Sequence, residues 1–312
     1  MKVFNMPSIT DVQDNDDCYL GQFIPLHYHH HMLISEYRMS AFKSAIEQTV
    51  FPGAKVLELG GGTGVLSWFA ATAKAEKVWC VEYNPDLVKE ANRLLQLNTD
   101  SENIELIQGD AFTYLPPEPV DLVICEMLHP AMLVEKQINV IRQFKERYSQ
   151  KISNNLPRFL PEAVILAVQP IQQNYIFMGF HAPIIEFQIP IAPQIDTTEL
   201  APPQVYSYID FTKDMSEDFN WQGTFTLEAG SVNALRFITK NILCISSTDN
   251  EITEWHNPHM ILPLPEPIEA VEGDLLDISF SYSAGGSLSH LQNSIKATLV
   301  RRWQNIIDPT KE

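Results

Sequence analysis

The spacing of apolar residues changes character near residue 160. Before that point, apolar runs of strand length alternate with longer segments of helical spacing. Val56, Leu57 and Leu59 form one such run, which breaks into glycines and resumes as the apolar, Ala-rich segment 67–75; this reads as strand, tight loop, helix. The runs 77–81, 104–107 and 120–125 predict three further strands. Met32, Leu33, Met39, Phe42 and Ile46 recur at helical spacing and predict one amphipathic helix over 32–46. After residue 163 the pattern is different: short β-rich runs at 164–168, 205–211, 224–227, 235–238, 242–245, 276–282 and 294–300, separated by Pro, Gly, Asn and Asp. These predict an antiparallel sheet or barrel. The proline-dotted stretch 183–203 reads as a loop or extended excursion.

The glycine break carries the first chemical signal. Gly60, Gly62 and Gly64 follow the first strand with the spacing G-x-G-x-G. They allow positive φ and remove the Cβ, so a flat ligand can lie against the backbone at the strand's carboxyl end. A dinucleotide fingerprint would want its third small residue where Val65 stands, which disfavours NAD. Glu58, just before the loop, suits a ligand ammonium group and would repel a pyrophosphate. Glu82, at the end of the second strand, is placed like the acid that accepts from ribose hydroxyls in doubly wound folds. Asp110 ends the third strand in a polar turn suited to an adenine edge. One carboxylate for an amine, one for a ribose and one polar turn for adenine describe S-adenosylmethionine. Here the chain resembles the class I methyltransferases, whose first motif is an acidic residue followed by G-x-G-x-G.

Composition narrows the partners. The 312 residues carry 39 Asp and Glu against 21 Lys and Arg, a formal charge of -18. That balance argues against a grip on phosphate backbones, so no nucleic-acid partner is expected, and it suits a cationic substrate. Cys18, Cys80, Cys125 and Cys244 lack metal-like spacing and read as reduced thiols. Histidines cluster at 27, 29, 30 and 31, but no cysteine or carboxylate set completes a site, and no metal is predicted. Without a signal segment or a membrane-length apolar run, the expectation is a cytoplasmic protein with no membrane partner.

The fourth strand runs directly into Glu126, and a second carboxylate returns at Glu135 after an apolar, proline-containing turn. A hairpin-like loop there could bring both side chains together. Two like charges in a cleft are costly unless a cation sits between them, and a planar guanidinium can fork hydrogen bonds to both. Taken alone, the loop fits equally a Glu126 that caps a turn and a Glu135 that begins a solvated helix. Arg38, on the predicted helix, can reach toward a ligand carboxylate in the pocket.

With Met32 and Leu33, Arg38, the Glu58 motif, Glu82 and two glutamates nine apart, the chain resembles the protein arginine methyltransferases. Tyr19, Leu20 and Phe23 are similar to that family's aromatic amino-terminal motif. Residues 159–163 are similar to its entry into the barrel, and Thr253-Glu254-Trp255 stands where the family has a Thr-His-Trp loop. The resemblance implies a Rossmann-like class I methyltransferase domain followed by an antiparallel β-barrel-like domain. The boundaries drawn are 1–31 for a helical, partly mobile lead, 32–160 for the cofactor domain and 161–312 for the substrate domain.

The resemblance further implies cofactor contacts at Met32, Arg38, Glu58, Gly60, Gly62, Glu82, Asp110 and Ala111. It implies a substrate clamp at Glu126 and Glu135, and a channel wall at Trp255. Two departures stand out. Ser35 and Glu254 occupy the positions of the family's Asp and His, so the usual proton outlet is altered and Glu254 becomes the candidate acceptor. Met127-Leu128-His129 replaces Trp-Met-Gly after the first glutamate, so the acceptor pocket is shaped differently. The expected reaction is methyl transfer to a guanidino nitrogen of a protein, a peptide or a small guanidino compound. A methyltransferase for another small molecule or side chain, and a non-catalytic cofactor-binding scaffold, remain as alternatives. The family's dimerisation arm looks short here, which leaves a dimer open.

Overall fold

The structure, a computed structural model, describes residues 26–246 and 250–300. The motif at Tyr19, Leu20 and Phe23 lies outside the described residues. Five parallel strands come first: β1 (Lys55–Leu59), β2 (Lys77–Glu82), β3 (Ile104–Gln108), β4 (Leu122–Cys125) and β5 (Arg158–Leu160), in the order β3-β2-β1-β4-β5. The strand order reverses between β1 and β4, and that switch point opens a crevice at the strands' carboxyl ends. β4 is buried throughout and β1 nearly so, as expected for strands covered on both faces. Helices α3 (Val65–Thr72), α4 (Pro85–Leu95) and α5 (Gln137–Lys151) are among the connections. Asn84 caps α4 by accepting from Asp86 N–H, with Pro85 at the first helical position.

The single helix expected over 32–46 is two helices, α1 (Leu26–Leu33) and α2 (Glu36–Thr49). Ser35 interrupts them with extended backbone (φ -76°, ψ 90°). Apolar spacing passes through the break unchanged, so periodicity alone does not reveal it. α2 turns Phe42, Ala45 and Ile46 inward.

The second half holds β6 (Ala163–Gln173), β7 (Ile176–Phe177), β8 (Phe180–His181), β9 (Glu186–Gln188), β10 (Thr197–Glu199), β11 (Gln204–Asp210), β12 (Asp218–Thr226), β13 (Gly230–Ile245), β14 (Ile252–His256), β15 (His259–Ala270), β16 (Leu275–Ser283), helix α6 (Leu288–Ser294) and β17 (Lys296–Val300). A seven-stranded antiparallel sheet runs β10-β6-β13-β15-β9, with β11 on β6 and β14 on β13; β12, β16 and β17 form a second sheet. Among the described residues the two sheets do not close into one hydrogen-bonded barrel. Residues 183–203, expected as a loop, contribute β9 and β10, which pair with β15 and β6. Residues 253–255, expected as a loop, lie in the strand β14. The buried side chains of both halves join in one cluster, in which Phe42 of α2 meets Trp255 of β14 with ring centroids 5.8 Å apart.

Two predicted strands, 235–238 and 242–245, are one strand of sixteen residues. Two of the three polar residues between them, Thr239 and Asn241, are fully buried and bonded across the interior, while Lys240 is partly exposed. Thr239 Oγ1 accepts from Ala131 N–H at 2.7 Å. Asn241 donates to Trp255 O and Asn257 Oδ1. Thr239→Val keeps the shape but leaves the Ala131 N–H without an acceptor. We expect a loss of about 1–3 kcal/mol in urea denaturation, with Thr239→Ser retaining most of that stability.

Candidate active site

One cavity of about 610 Å³ lies at the switch point between the parallel sheet and the second half. Its floor is the glycine loop. Gly60 and Gly62 take φ of 82° and 54°, and a Cβ at either position would come within 3.3 Å of Met127 or His29. The loop is thus a cradle that a side chain would fill. Glu82, buried, accepts from Gly62 N–H on one oxygen and Asn84 N–H on the other, both at 2.8 Å. Each oxygen keeps a lone pair for a hydroxyl donor. Asp110 and Ala111 line the same end, with Asp110 turned back to accept from Phe112 N–H at 2.8 Å. His29 Nε2, buried against this loop, has no hydrogen-bond partner among the described residues. A nucleoside-sized ligand with hydroxyls and ring nitrogens fits this set of groups.

Glu58 lines the cavity but is partly committed. Its Oε2 accepts from Ser67 N–H at 2.9 Å, from Ser67 Oγ and from Cys80 Sγ at 3.6 Å, tying β1 to the start of α3. Burial pushes its carboxyl up to about 7, against the hydrogen bonds from Ser67 and Cys80. Met32 also lines the cavity. Arg38, expected to meet a ligand carboxylate, does so too. It pairs with Glu126, the two side chains 9% and 15% exposed, because a buried carboxylate left unpaired is costly. The guanidinium lies 5.2 Å from the Phe42 ring centroid and 5.9 Å from that of Trp255.

Glu126 and Glu135 both face this cavity. The loop between them is built on backbone that few side chains adopt: Ala131, Met132 and Val134 have φ of 57°, 57° and 61°. Such conformations cost about 1–3 kcal/mol each and persist only where surrounding bonds hold them. The second half supplies those bonds. Besides Thr239, Asn257 Nδ2 donates to Leu128 O at 2.8 Å, Val134 N–H to Gly286 O at 2.9 Å, and Gly285 N–H to Met132 O at 2.8 Å. Both carboxylates are partly buried in the cavity. Burial raises the Glu135 carboxyl to about 8, and the neighbouring Glu126 adds to the shift. Burial raises Glu126 as well, against the opposing charge of Arg38. Among the described residues the cavity wall carries five carboxylates and Arg38 as its one Arg or Lys.

Trp255 lines the cavity, but Glu254 does not. Glu254 pairs with Lys240 and with His256 Nε2 at 3.4 Å. Glu254, expected at the acceptor, is thus held by Lys240 and lies outside the cavity wall. His256, two residues on and on the same side of the strand, is in the wall. Burial lowers its pKa, with Glu254 opposing, so it is neutral near pH 7. Sequence reading missed it, although a histidine directly after Trp255 was the available signal. His129 is a second neutral wall histidine, lowered to about 4 by burial. It meets Phe187 edge to face at 5.8 Å. Phe187, Ile189 and Pro190 of the proline-dotted stretch complete that wall, and nothing in their local pattern foretold it.

Residues 56–148 match the family described as "Methyltransferase domain". Uncharacterized proteins from two archaea are similar along nearly their whole length. That of Methanocaldococcus jannaschii is 28% identical over 265 residues, 84% of this chain and 95% of the relative. That of Methanothermobacter thermautotrophicus is 28% identical over 269 residues, 86% and 97%. Protein arginine N-methyltransferase PRMT10 of Oryza sativa subsp. japonica is 29% identical over 144 residues, 46% of this chain and 38% of its own length. In fold, the chain is similar to Arabidopsis thaliana protein arginine methyltransferase 10, with TM-score 0.68 and 17% identity over 85% of this chain and 89% of that one. It is also similar to the Trypanosoma brucei PRMT1 enzyme-prozyme heterotetrameric complex with AdoHcy, with TM-score 0.66 and 18% identity over 91% and 99%. This chain therefore carries a class I methyltransferase domain that uses S-adenosylmethionine, in a fold that resembles the protein arginine methyltransferases.

Proposed function

We propose that this protein is a guanidino N-methyltransferase, acting on an arginine side chain or a small guanidino compound. The supporting observation is the unbalanced charge of the acceptor pocket. Glu126 and Glu135 share one cavity, and Arg38 forms its ion pair with Glu126 while only opposing the rise of Glu135 through its charge. A planar cation able to fork its hydrogen bonds fills the deficit. Glu82, Asp110, Ala111, the Gly60–Gly62 cradle and Met32 would hold the cofactor, and Trp255 would wall the acceptor channel. S-adenosylmethionine brings an electrophilic methyl on sulfur.

The chain's own part is alignment and charge. Hydrogen bonds to Glu126 and Glu135 fix the acceptor nitrogen in one direction and draw positive charge away from it, leaving lone-pair density for attack. The nitrogen gains a carbon and must release one proton. Glu135, whose carboxyl is raised to about 8, and neutral His256 are the cavity groups suited to receive it.

Glu126→Gln and Glu135→Gln are each expected to cut labelled-methyl transfer to guanidino acceptors by roughly 10²–10³-fold, with cofactor affinity by calorimetry unchanged. Full transfer in both variants would reject the proposal, and transfer by the wild type to any acceptor excludes a non-catalytic scaffold. Their stabilities should separate. Glu126→Gln strands the buried Arg38 and lowers the melting temperature. Glu135 holds its proton in the folded state up to about pH 8, so the wild type loses stability as pH rises from about 4.5, the unfolded value, through 8. Glu135→Gln removes that loss and melts higher than the wild type at pH 8.

The same titration sets a rate profile. The acceptor needs Glu135 ionised, so kcat/KM should rise with pH and level off above about 8. A profile flat from pH 6 to 9 would count against Glu135 as a clamp.

A further inference from the structure

The chain between β6 and β10, residues 174–196, leaves the large sheet as one excursion closed at its base by Asn174 N–H to Asp196 O at 2.8 Å. Its polarity is inverted. Gln188 reaches back to Gln173 and Thr197, and Glu186 accepts from Gln173. The apolar side chains point outward instead. Nine of the twenty large apolar side chains left exposed among the described residues lie between 176 and 195, among them Met178 at 106%, Phe180 at 71% and Ile191 at 65%. From 175 to 195 the sequence holds a single charged residue, Glu186. An exposed apolar patch this concentrated marks a surface with something to bind.

Its position says what that is. The patch reaches the cavity through Phe187 and Ile189. β9 pairs Phe187 with Met260 of β15, which sets Phe187 against His129, three residues from Glu126. Phe187 and Ile189, 48% and 59% exposed, are at once part of the patch and part of the cavity wall. Beyond the two glutamates, this wall is Leu128, His129, Pro130, Phe187, Ile189 and Pro190, with no carboxylate to attract a second cation.

We propose that the methyl acceptor carries its guanidino group on an apolar stem, which leaves the Glu126–Glu135 pocket across Phe187, Ile189 and Pro190 onto the exposed excursion. This deepens the guanidino reading and rests on it. The acceptor class is an alkyl- or aryl-substituted guanidine, or an arginine flanked by apolar groups, in contrast to a polar, multiply cationic tail.

The test uses the full chain with saturating S-adenosylmethionine and a series of N-alkylguanidines from ethyl to octyl, with agmatine as the cationic-tip control. Each methylene that reaches the apolar wall should raise kcat/KM about three- to fourfold, the value of one buried CH₂. Agmatine should fall well below butylguanidine. The double variant F187S/I189S, whose altered side chains are exposed and whose fold can be checked by its melting curve, should flatten the series to less than half its slope. A flat series in the wild type, or agmatine equal to butylguanidine, overturns the inference while leaving the guanidino reading in place. Failure of every guanidine to accept a methyl group overturns both. Concentration-dependent self-association that F177S/F180S abolishes, with an unchanged chain-length series, would assign the patch to a second copy of the chain and overturn the inference too.

Discussion

Two carboxylates held in one cavity, with a single guanidinium paired to one of them, are the constraint on which this structure turns. Glu126 and Glu135 repel each other, and burial strengthens the repulsion by removing the water that would screen it. Arg38 is ion-paired with Glu126. Burial first, and the neighbouring Glu126 second, raise the Glu135 carboxyl to about 8 against the charge of Arg38. Under the proposed function, an arriving guanidinium would replace the Glu135 proton and complete the charge balance. Folding stability is spent on a site that becomes comfortable only when occupied.

Holding that pair together explains why the two halves form one core. The loop from Leu128 to Val134 has three residues at positive φ, one of them β-branched, and would not keep that shape alone. Thr239, Asn257, Gly285 and Gly286, all from the second half, bond its backbone. The antiparallel sheet therefore does more than roof the crevice. It sets the direction of Glu135 relative to Glu126, and α2, packed by Phe42 on Trp255, brings Arg38 to the same point. Strain in the loop and bonds from the sheet offset each other in one small volume.

Much of this was legible in the sequence, for reasons that differ from residue to residue. The parallel sheet and the glycine cradle were readable because strand period, glycine spacing and the carboxyl-end rule are all local. Glu126 and Glu135 were readable as a pair only through the family's order and spacing, since a loop of that length fits a solvated turn equally well. Arg38 was readable at the pocket, but its ion pair with Glu126 was not: spacing locates a cation and says nothing about which carboxylate is nearer. Glu254 was expected at the acceptor, but it is held by Lys240 of the neighbouring strand, a pairing that sequence order does not show. Residues 239–241 looked like a strand break because their bonding partners lie a hundred residues away or across the sheet. The wall at Phe187 and Ile189 gave no signal at all, since its position depends on β9 pairing with β15.

The account's central claim is most directly tested by counting protons. An alkylguanidine titrated into the protein loaded with S-adenosylhomocysteine at pH 7, by calorimetry in two buffers of different ionisation enthalpy, gives the protons exchanged on binding. With Glu135 near 8 in the empty pocket, about one proton should be released per guanidinium bound, and Glu135→Gln should release none. Binding of equal affinity in the wild type and in Glu135→Gln, with no proton released by either, would contradict it.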